Sequence, residues 1–217
     1  MKKHGFTLAE VLITLTIIGV VATLTLPALM TNTAEQQAKT SLKKGINTLV
    51  EAAHMSQAID GFDYASLTEA DVSSEDKQSL YALLSKRTAV DYGKSGEKKI
   101  PSYQGNAQPT SDNYAVFFRD GSALVFPKTA KSDGKAMDIM EDNMVYGIPV
   151  IYDTNGAKGP NILSNCSGKA LGATKDTSDL SACAKKSNRV IKDQFGVRLR
   201  GGVAVPNGAA ARWAYEN

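Results

Sequence analysis

Few side chains in this 217-residue chain are equipped for chemistry. There are two cysteines, Cys166 and Cys183, and two histidines, His4 and His54. The segment between the cysteines is polar and rich in Gly, Ser and Thr, with no further Cys or His nearby to complete a metal site. Outside the cytoplasm the pair is expected to bridge, and closing a loop of that size contributes about 3 kcal/mol. The alternative is two unrelated thiols. His54 has no neighbour of suitable chemistry in the sequence and is expected at a solvated helix position. G-x-S-x-G, P-loop and H-E-x-x-H patterns are absent, so no enzyme site is expected. The run Asp153-Thr154-Asn155-Gly156 sets side-chain oxygens at alternate positions before a glycine, a pattern suited to calcium. The full EF-hand template then fails, because no Asp follows in register and no Glu closes the loop. An Asx turn, with Gly156 supplying positive φ, is the simpler reading.

The last candidate is a carboxylate in an unusual place. The chain begins Met1-Lys2-Lys3-His4-Gly5-Phe6-Thr7-Leu8-Ala9-Glu10, and no charge occurs between Val11 and Ala34. A secretory signal has a shorter apolar stretch with a small-x-small site behind it, which is missing here. A membrane anchor fits better, because at ~1.5 Å per residue the uncharged stretch spans a ~30 Å hydrocarbon core with some tilt. Lys2 and Lys3 would hold its start on the cytoplasmic side. Anchoring alone leaves Glu10 unexplained, since an ionisable group in a membrane segment costs several kcal/mol unless paired. A cut between Gly5 and Phe6 would create a free α-amino group at Phe6. A neighbouring copy shifted along the helix axis could then set that amine against Glu10.

A short basic leader ending in Gly5, then Phe6, Thr7-Leu8-Ala9-Glu10 and an unbroken apolar run, closely resembles the type IV prepilin signature. The resemblance implies cleavage between Gly5 and Phe6 by prepilin peptidase on the cytoplasmic side, N-methylation of Phe6, and a role for Glu10 in assembly. It implies a structural subunit, a pilin of a type IV pilus or a pseudopilin of a type II secretion system. Its partners would be other such subunits, prepilin peptidase, the inner-membrane assembly platform and the lipid bilayer. The subunit would cross the inner membrane once, N-terminus cytoplasmic and head periplasmic or extracellular, before entering a filament. The alternative within the same resemblance is a minor or tip subunit that binds something, in adhesion or DNA uptake; a membrane-tethered enzyme is the third class. Some secretion pseudopilins bind calcium near their sheet, and Asp153, Asn155 and the later Asp193-Gln194-Phe195 resemble that pattern. Cys166 and Cys183 are placed like the disulfide-bounded loop near the C-terminus of many pilins, which contacts partners.

The elements that must position these residues are readable from periodicity. Pro27 removes one backbone hydrogen bond from the apolar helix and kinks or loosens it. The resemblance makes that a functional site for assembly, while an ordinary membrane-helix kink explains it equally well. Beyond it Leu42, Ile46, Leu49, Val50 and Ala53 form a stripe of helical period, with Lys39, Lys43, Lys44 and Glu51 away from it. The helix is expected to continue to about Ala58 and stop at Gly61. A second helix is expected over 74–86, capped by Ser73 and Asp76, with Leu80, Leu83 and Leu84 on its buried face. Residues 88–112 read as a connecting loop.

Strands are expected at 114–119 and 122–126 around the Asp120-Gly121 turn, at 148–152, and at 195–200 and 203–205 around Gly201-Gly202. Alternation in the last pair suggests a sheet with one face on the helix and one in water. The fold class is therefore α+β, a long N-terminal helix on an antiparallel sheet. The expected divisions are a leader at 1–5, a membrane and filament-core helix at 6–30, its amphipathic continuation at 31–60, a helix and loop at 61–112, and the sheet head at 113–217. Hydrophobic residues make up 42% of the chain and mean hydropathy is -0.22, so the head is a soluble globule. The net charge of +3 owes two of its units to Lys2 and Lys3. The remaining cations are scattered rather than gathered into the stripe a nucleic-acid binder shows.

Overall fold

The computed structural model describes residues 5, 7–67, 78–93, 95, 113–127, 147–168 and 176–217. It comprises two units, residues 1–37 and 38–217. The helix α1, Leu8–Asp60, runs across both and continues through Pro27. It stops where the sequence says it should: Gly61 takes φ 78°, and its amide donates to the Ser56 carbonyl at 3.1 Å.

In the first unit nothing covers the apolar residues of α1. Every described side chain from Leu8 to Met30 is exposed except the half-buried Ala22. Its threonines do not leave polar atoms unmet. Thr14, Thr16, Thr23, Thr25 and Thr33 donate their hydroxyls to carbonyls three or four residues back, at 2.8–2.9 Å. This is the arrangement a helix surrounded by hydrocarbon needs.

The second unit is an α+β head. A five-stranded antiparallel sheet runs β1 (Asn113–Phe117), β2 (Ala123–Pro127), β3 (Ile148–Asp153), β4 (Gln194–Arg200) and β5 (Val203–Pro206), in that spatial order. The Asp120-Gly121 turn forms as expected, with Gly121 at φ 93° and Asp120 accepting from the Ser122 amide at 3.0 Å. Pairings Tyr114–Phe126, Leu124–Tyr152, Tyr152–Phe195 and Ile148–Leu199 put these side chains on one face. That face meets Ala38, Leu42, Ile46, Leu49 and Ala53 of α1 in the main core. The helix α2, Leu80–Arg87, adds Leu80, Leu83 and Leu84 to the same core.

Three expectations change. The opposite face of the sheet is not in water: β3 is buried at all six positions, and Ala115, Phe117, Ala123, Val125 and Ile151 make a second cluster behind it. The alternation in β4 misled because its outward set, Gln194, Gly196 and Arg198, is polar or small and yet buried. Lys39 does not lie in solvent either; it is buried, with its ammonium over the Trp213 ring. The α2 cap is Ser79, whose hydroxyl accepts from Ala82 N at 2.9 Å. Ser73 and Asp76 lie outside the described residues, as does most of 88–112.

Helix and sheet approach closely at one point. A Cβ on Gly45 would sit 2.2 Å from Cζ of Tyr152, so the ring lies directly on the α1 backbone. Gly45→Val is therefore expected to destabilise the head by about 2–3 kcal/mol through overpacking. Thermal unfolding should show that loss, with partial recovery when Tyr152→Ala is added. A wild-type midpoint for the single variant would mean that the close approach is not a real constraint.

Candidate functional site

The N-terminal segment is built by a local hydrogen-bond pattern. Thr7 Oγ1 accepts from the Glu10 amide at 3.3 Å, and Glu10 Oε2 accepts from the Thr7 amide and the Thr7 hydroxyl, both at 2.8 Å. This is a capping box: each residue satisfies a donor that the first turn of α1 would leave open. Thr7-x-x-Glu10 before an apolar run is itself a legible signal, and considering Glu10 only as an intermolecular ligand passed it over. Gly5 is exposed, outside the helix, with no atom within 4 Å of where a Cβ would lie. Phe6 lies outside the described residues. Pro27 sits inside α1, within the exposed apolar stretch.

In the head, the cysteines are joined: Cys166 and Cys183 form a disulfide with Cα atoms 5.0 Å apart. The loop of the other candidate residues is more crowded with oxygen than the sequence suggested. Asp153 is fully buried at the end of β3; its Oδ1 accepts from Asn155 N at 3.1 Å and its Oδ2 from Gln194 Nε2 at 2.7 Å. Gly156 follows at φ 63°, so the Asx turn is present. Asp193, also buried, accepts the backbone amides of Asn161 and Ile162. Gln194 Oε1 and Asn155 Oδ1 are buried and have no hydrogen-bond partner. Burial, with the nearby Asp193 charge adding to it, pushes the Asp153 carboxyl up to about 7. Among the described residues no three His, Cys, Asp or Glu side chains converge as a metal cluster.

A cleft of about 190 Å³ opens between α1 and the β1–β2 turn, lined by Lys44, Thr48, Arg119, Asp120, Ser122 and Tyr152 among others. Its polar groups answer one another rather than a substrate. Lys44 pairs with Asp120 at 2.7 Å, Ser122 Oγ donates to the same carboxylate at 2.6 Å, and Thr48 donates to the Lys44 carbonyl. Burial pushes the Tyr152 phenol up to about 12, so it stays protonated.

Residues 1–26 match the family described as the prokaryotic N-terminal methylation motif, the prepilin-type motif of type IV pilins and pseudopilins. The match includes Gly5, Phe6, Glu10 and most of the exposed apolar stretch. It implies processing by prepilin peptidase and, with the apolar helix, fits insertion into the inner membrane. No curated protein and no solved structure matches the chain.

Asp153 gives the head a pH signature. Its carboxyl titrates near 7 when folded and near 3.8 when free, so between those values the folded state holds the extra proton. Its contribution to stability is full below the free value and is lost as pH rises through about 7. Chemical denaturation across that range should show falling stability in wild type and a flatter profile in Asp153→Asn. Identical slopes would remove Asp153 as the source.

Proposed function

We propose that this chain is a structural subunit, a pilin or pseudopilin, that is cut between Gly5 and Phe6, methylated on Phe6 and assembled into a filament through α1. The observation that carries this is a carboxylate, Glu10, at the head of an apolar helix stretch that the chain itself leaves uncovered. A helix exposing that much hydrocarbon-like surface must be covered, by lipid in the membrane and by other copies of the helix in a filament. Both bonds from Thr7 fall on Glu10 Oε2. The same carboxylate can therefore meet an incoming ammonium, the methylated Phe6 amine of the next subunit, through Oε1. Pro27 supplies a helix site with one backbone bond fewer, where α1 can adjust as it moves from lipid to filament.

The type of filament, pilus or secretion pseudopilus, and a minor or tip role are alternatives inside this proposal. A membrane-tethered enzyme is the weakest reading, because G-x-S-x-G, P-loop and H-E-x-x-H patterns are absent from the sequence and the cleft beside α1 pairs Lys44 with Asp120.

N-terminal mass spectrometry of the mature protein should find a chain beginning at methyl-Phe6, and Gly5→Leu should leave the uncut precursor. In the same expression host, Glu10→Ala should be processed and membrane-held yet absent from sheared filaments. Normal processing of Gly5→Leu sinks the cleavage site, and wild-type filaments from Glu10→Ala sink the pairing.

A second proposal concerns calcium. Asp153 and Asp193 are both buried and near enough for the Asp193 charge to act on Asp153, while Gln194 Oε1 and Asn155 Oδ1 are buried oxygens without donors. An all-oxygen set with two negative charges suits a hard cation, whose charge would offset the burial and the Asp193 repulsion that raise the Asp153 pKa. Asp153, Asn155 and Asp193 would hold it. Millimolar calcium should then raise the thermal midpoint of the purified full chain at pH 8, with no effect on Asp153→Asn. An equal midpoint in calcium and in chelator would leave only the Asx turn.

A further inference from the structure

The last helix of the head has no cap of its own. The helix α3, Ala209–Glu216, follows Gly208, which carries no side chain to receive its first amides. An eight-residue helix is marginal without help. Here the help comes from inside the disulfide loop. Ala209 N donates to the Thr177 carbonyl at 2.8 Å, and Ala210 N donates to Asp176 Oδ2 at 2.6 Å. The other oxygen of Asp176 receives the amides of Cys166 and Thr177, at 2.8 and 2.9 Å. Arg212 of α3 returns a bond to the Ser178 carbonyl. Thus one buried carboxylate ties the first cysteine of the loop, the loop backbone and the start of α3 together.

The other end of the loop reaches the same helix by a different route. Cys166 and Cys183 pack with Ala209 and Ala210, and Trp213 lies against that cluster. Arg189 donates to the Cys183 carbonyl and sets its guanidinium 3.8 Å from the Trp213 ring centroid. Lys39 of α1 sets its buried ammonium 4.0 Å from the same centroid. A ring holding two cations gains from each only while the ring is in place.

We propose that the Cys166–Cys183 loop is a redox latch on the C-terminal helix: the oxidised loop holds Asp176 in position to cap α3, and α3 in turn holds Trp213 over Lys39 of α1. Reduction by a dithiol breaks the Sγ–Sγ bond, gives each cysteine a proton and leaves the reductant as a cyclic disulfide. Asp176 then loses its fixed place, α3 loses its cap, and Trp213 leaves Lys39 while the five-stranded sheet persists. This device belongs to the head alone and stands whether or not the chain forms filaments.

Trp213 is the chain's single tryptophan, so its fluorescence reads the latch directly. The experiment uses the full chain in detergent micelles, before and after a dithiol, alongside the double variant Cys166→Ser, Cys183→Ser. The expected result is a red-shifted, more iodide-quenchable Trp213 with the strand signal in circular dichroism kept. An unchanged Trp213 in the reduced chain overturns the latch. Loss of the strand signal on reduction also overturns it, since the bridge would then support the whole head. Asp176→Asn keeps the bridge and the size of the side chain but replaces one of its two acceptor oxygens with a donor. It should speed hydrogen exchange at the Ala210 amide about fivefold, the size of a lost helix cap. Wild-type exchange there would disconnect the loop from the helix.

Discussion

One stripe of α1 lies against one face of the sheet, and the head takes its form from that contact. The stripe, Ala38 to Ala53, supplies no residue larger than leucine, while the sheet answers with Tyr114, Phe126, Tyr152 and Phe195. Large rings on a flat surface meet small residues on a cylinder, so the helix backbone can come close. Gly45 is where it comes closest, and the ring it meets belongs to Tyr152. The same approach brings Lys44 to Asp120 and so fixes the β1–β2 turn beside α1. Burial works against charge on Asp120, yet hydrogen bonds from Lys44 and Ser122 hold its carboxyl below the usual range. At the edge of this contact, Arg87 of α2 pairs with Asp60 near the end of α1. Each surface pair is worth little by itself. Their effect is to keep the turn and α2 in register with a core formed by burial.

Under the proposed assembly, Glu10 satisfies two demands that look opposed. In a single copy its carboxylate closes the first turn with Thr7, which accounts for the carboxylate within the chain itself. The helix N-terminus also favours a negative charge at this position, because unpaired amides there carry partial positive charge. A residue tolerated in lipid through its own cap remains available to a stronger, fully charged partner. The cap thereby lowers the cost of keeping a carboxylate ready near a membrane. Local structure and the proposed assembly are thus consistent uses of one side chain rather than rival explanations of it.

What could be read in the sequence was what depends on period and on punctuation. The α1 stripe, the Gly61 stop, the Asp120-Gly121 turn and all five strands follow from spacing three and four, spacing two, and glycines at positive φ. The prepilin signature was legible for another reason: its residues are contiguous, so nothing about the fold need be known to see them. What failed was the burial of single polar side chains, which distant partners decide. Lys39 looked solvated because the ring that buries it lies far along the chain, at Trp213. Arg198 looked like part of a wet face because polarity was taken as exposure, although it is buried and donates to the Gly147 carbonyl. The helix α3 went unread because its alanines carry little periodic contrast and its cap is Asp176, outside the helix altogether.

Apart from Lys39, these misses share a location. Among the described residues, nine of the thirteen buried polar or charged residues lie from the end of β3 onward, among them Asp153, Asn161, Asp176, Asp193, Gln194 and Asn207. In the first part of the head a helix and a sheet face supply enough apolar area for burial to set positions. From residue 154 to β4 the chain has little apolar pattern, and hydrogen bonds must do the placing: Asp193 on Asn161 and Ile162, Asp176 on Cys166, Thr177 and Ala210. Such bonds are specific in geometry but modest in net stability, since each replaces a bond to water. A covalent bridge is most useful in that setting, because it shortens the search of a segment whose own contacts are too few to order it. The disulfide therefore falls where the hydrophobic pattern gives out, closing the polar loop against the start of α3, the helix whose first amides that loop receives.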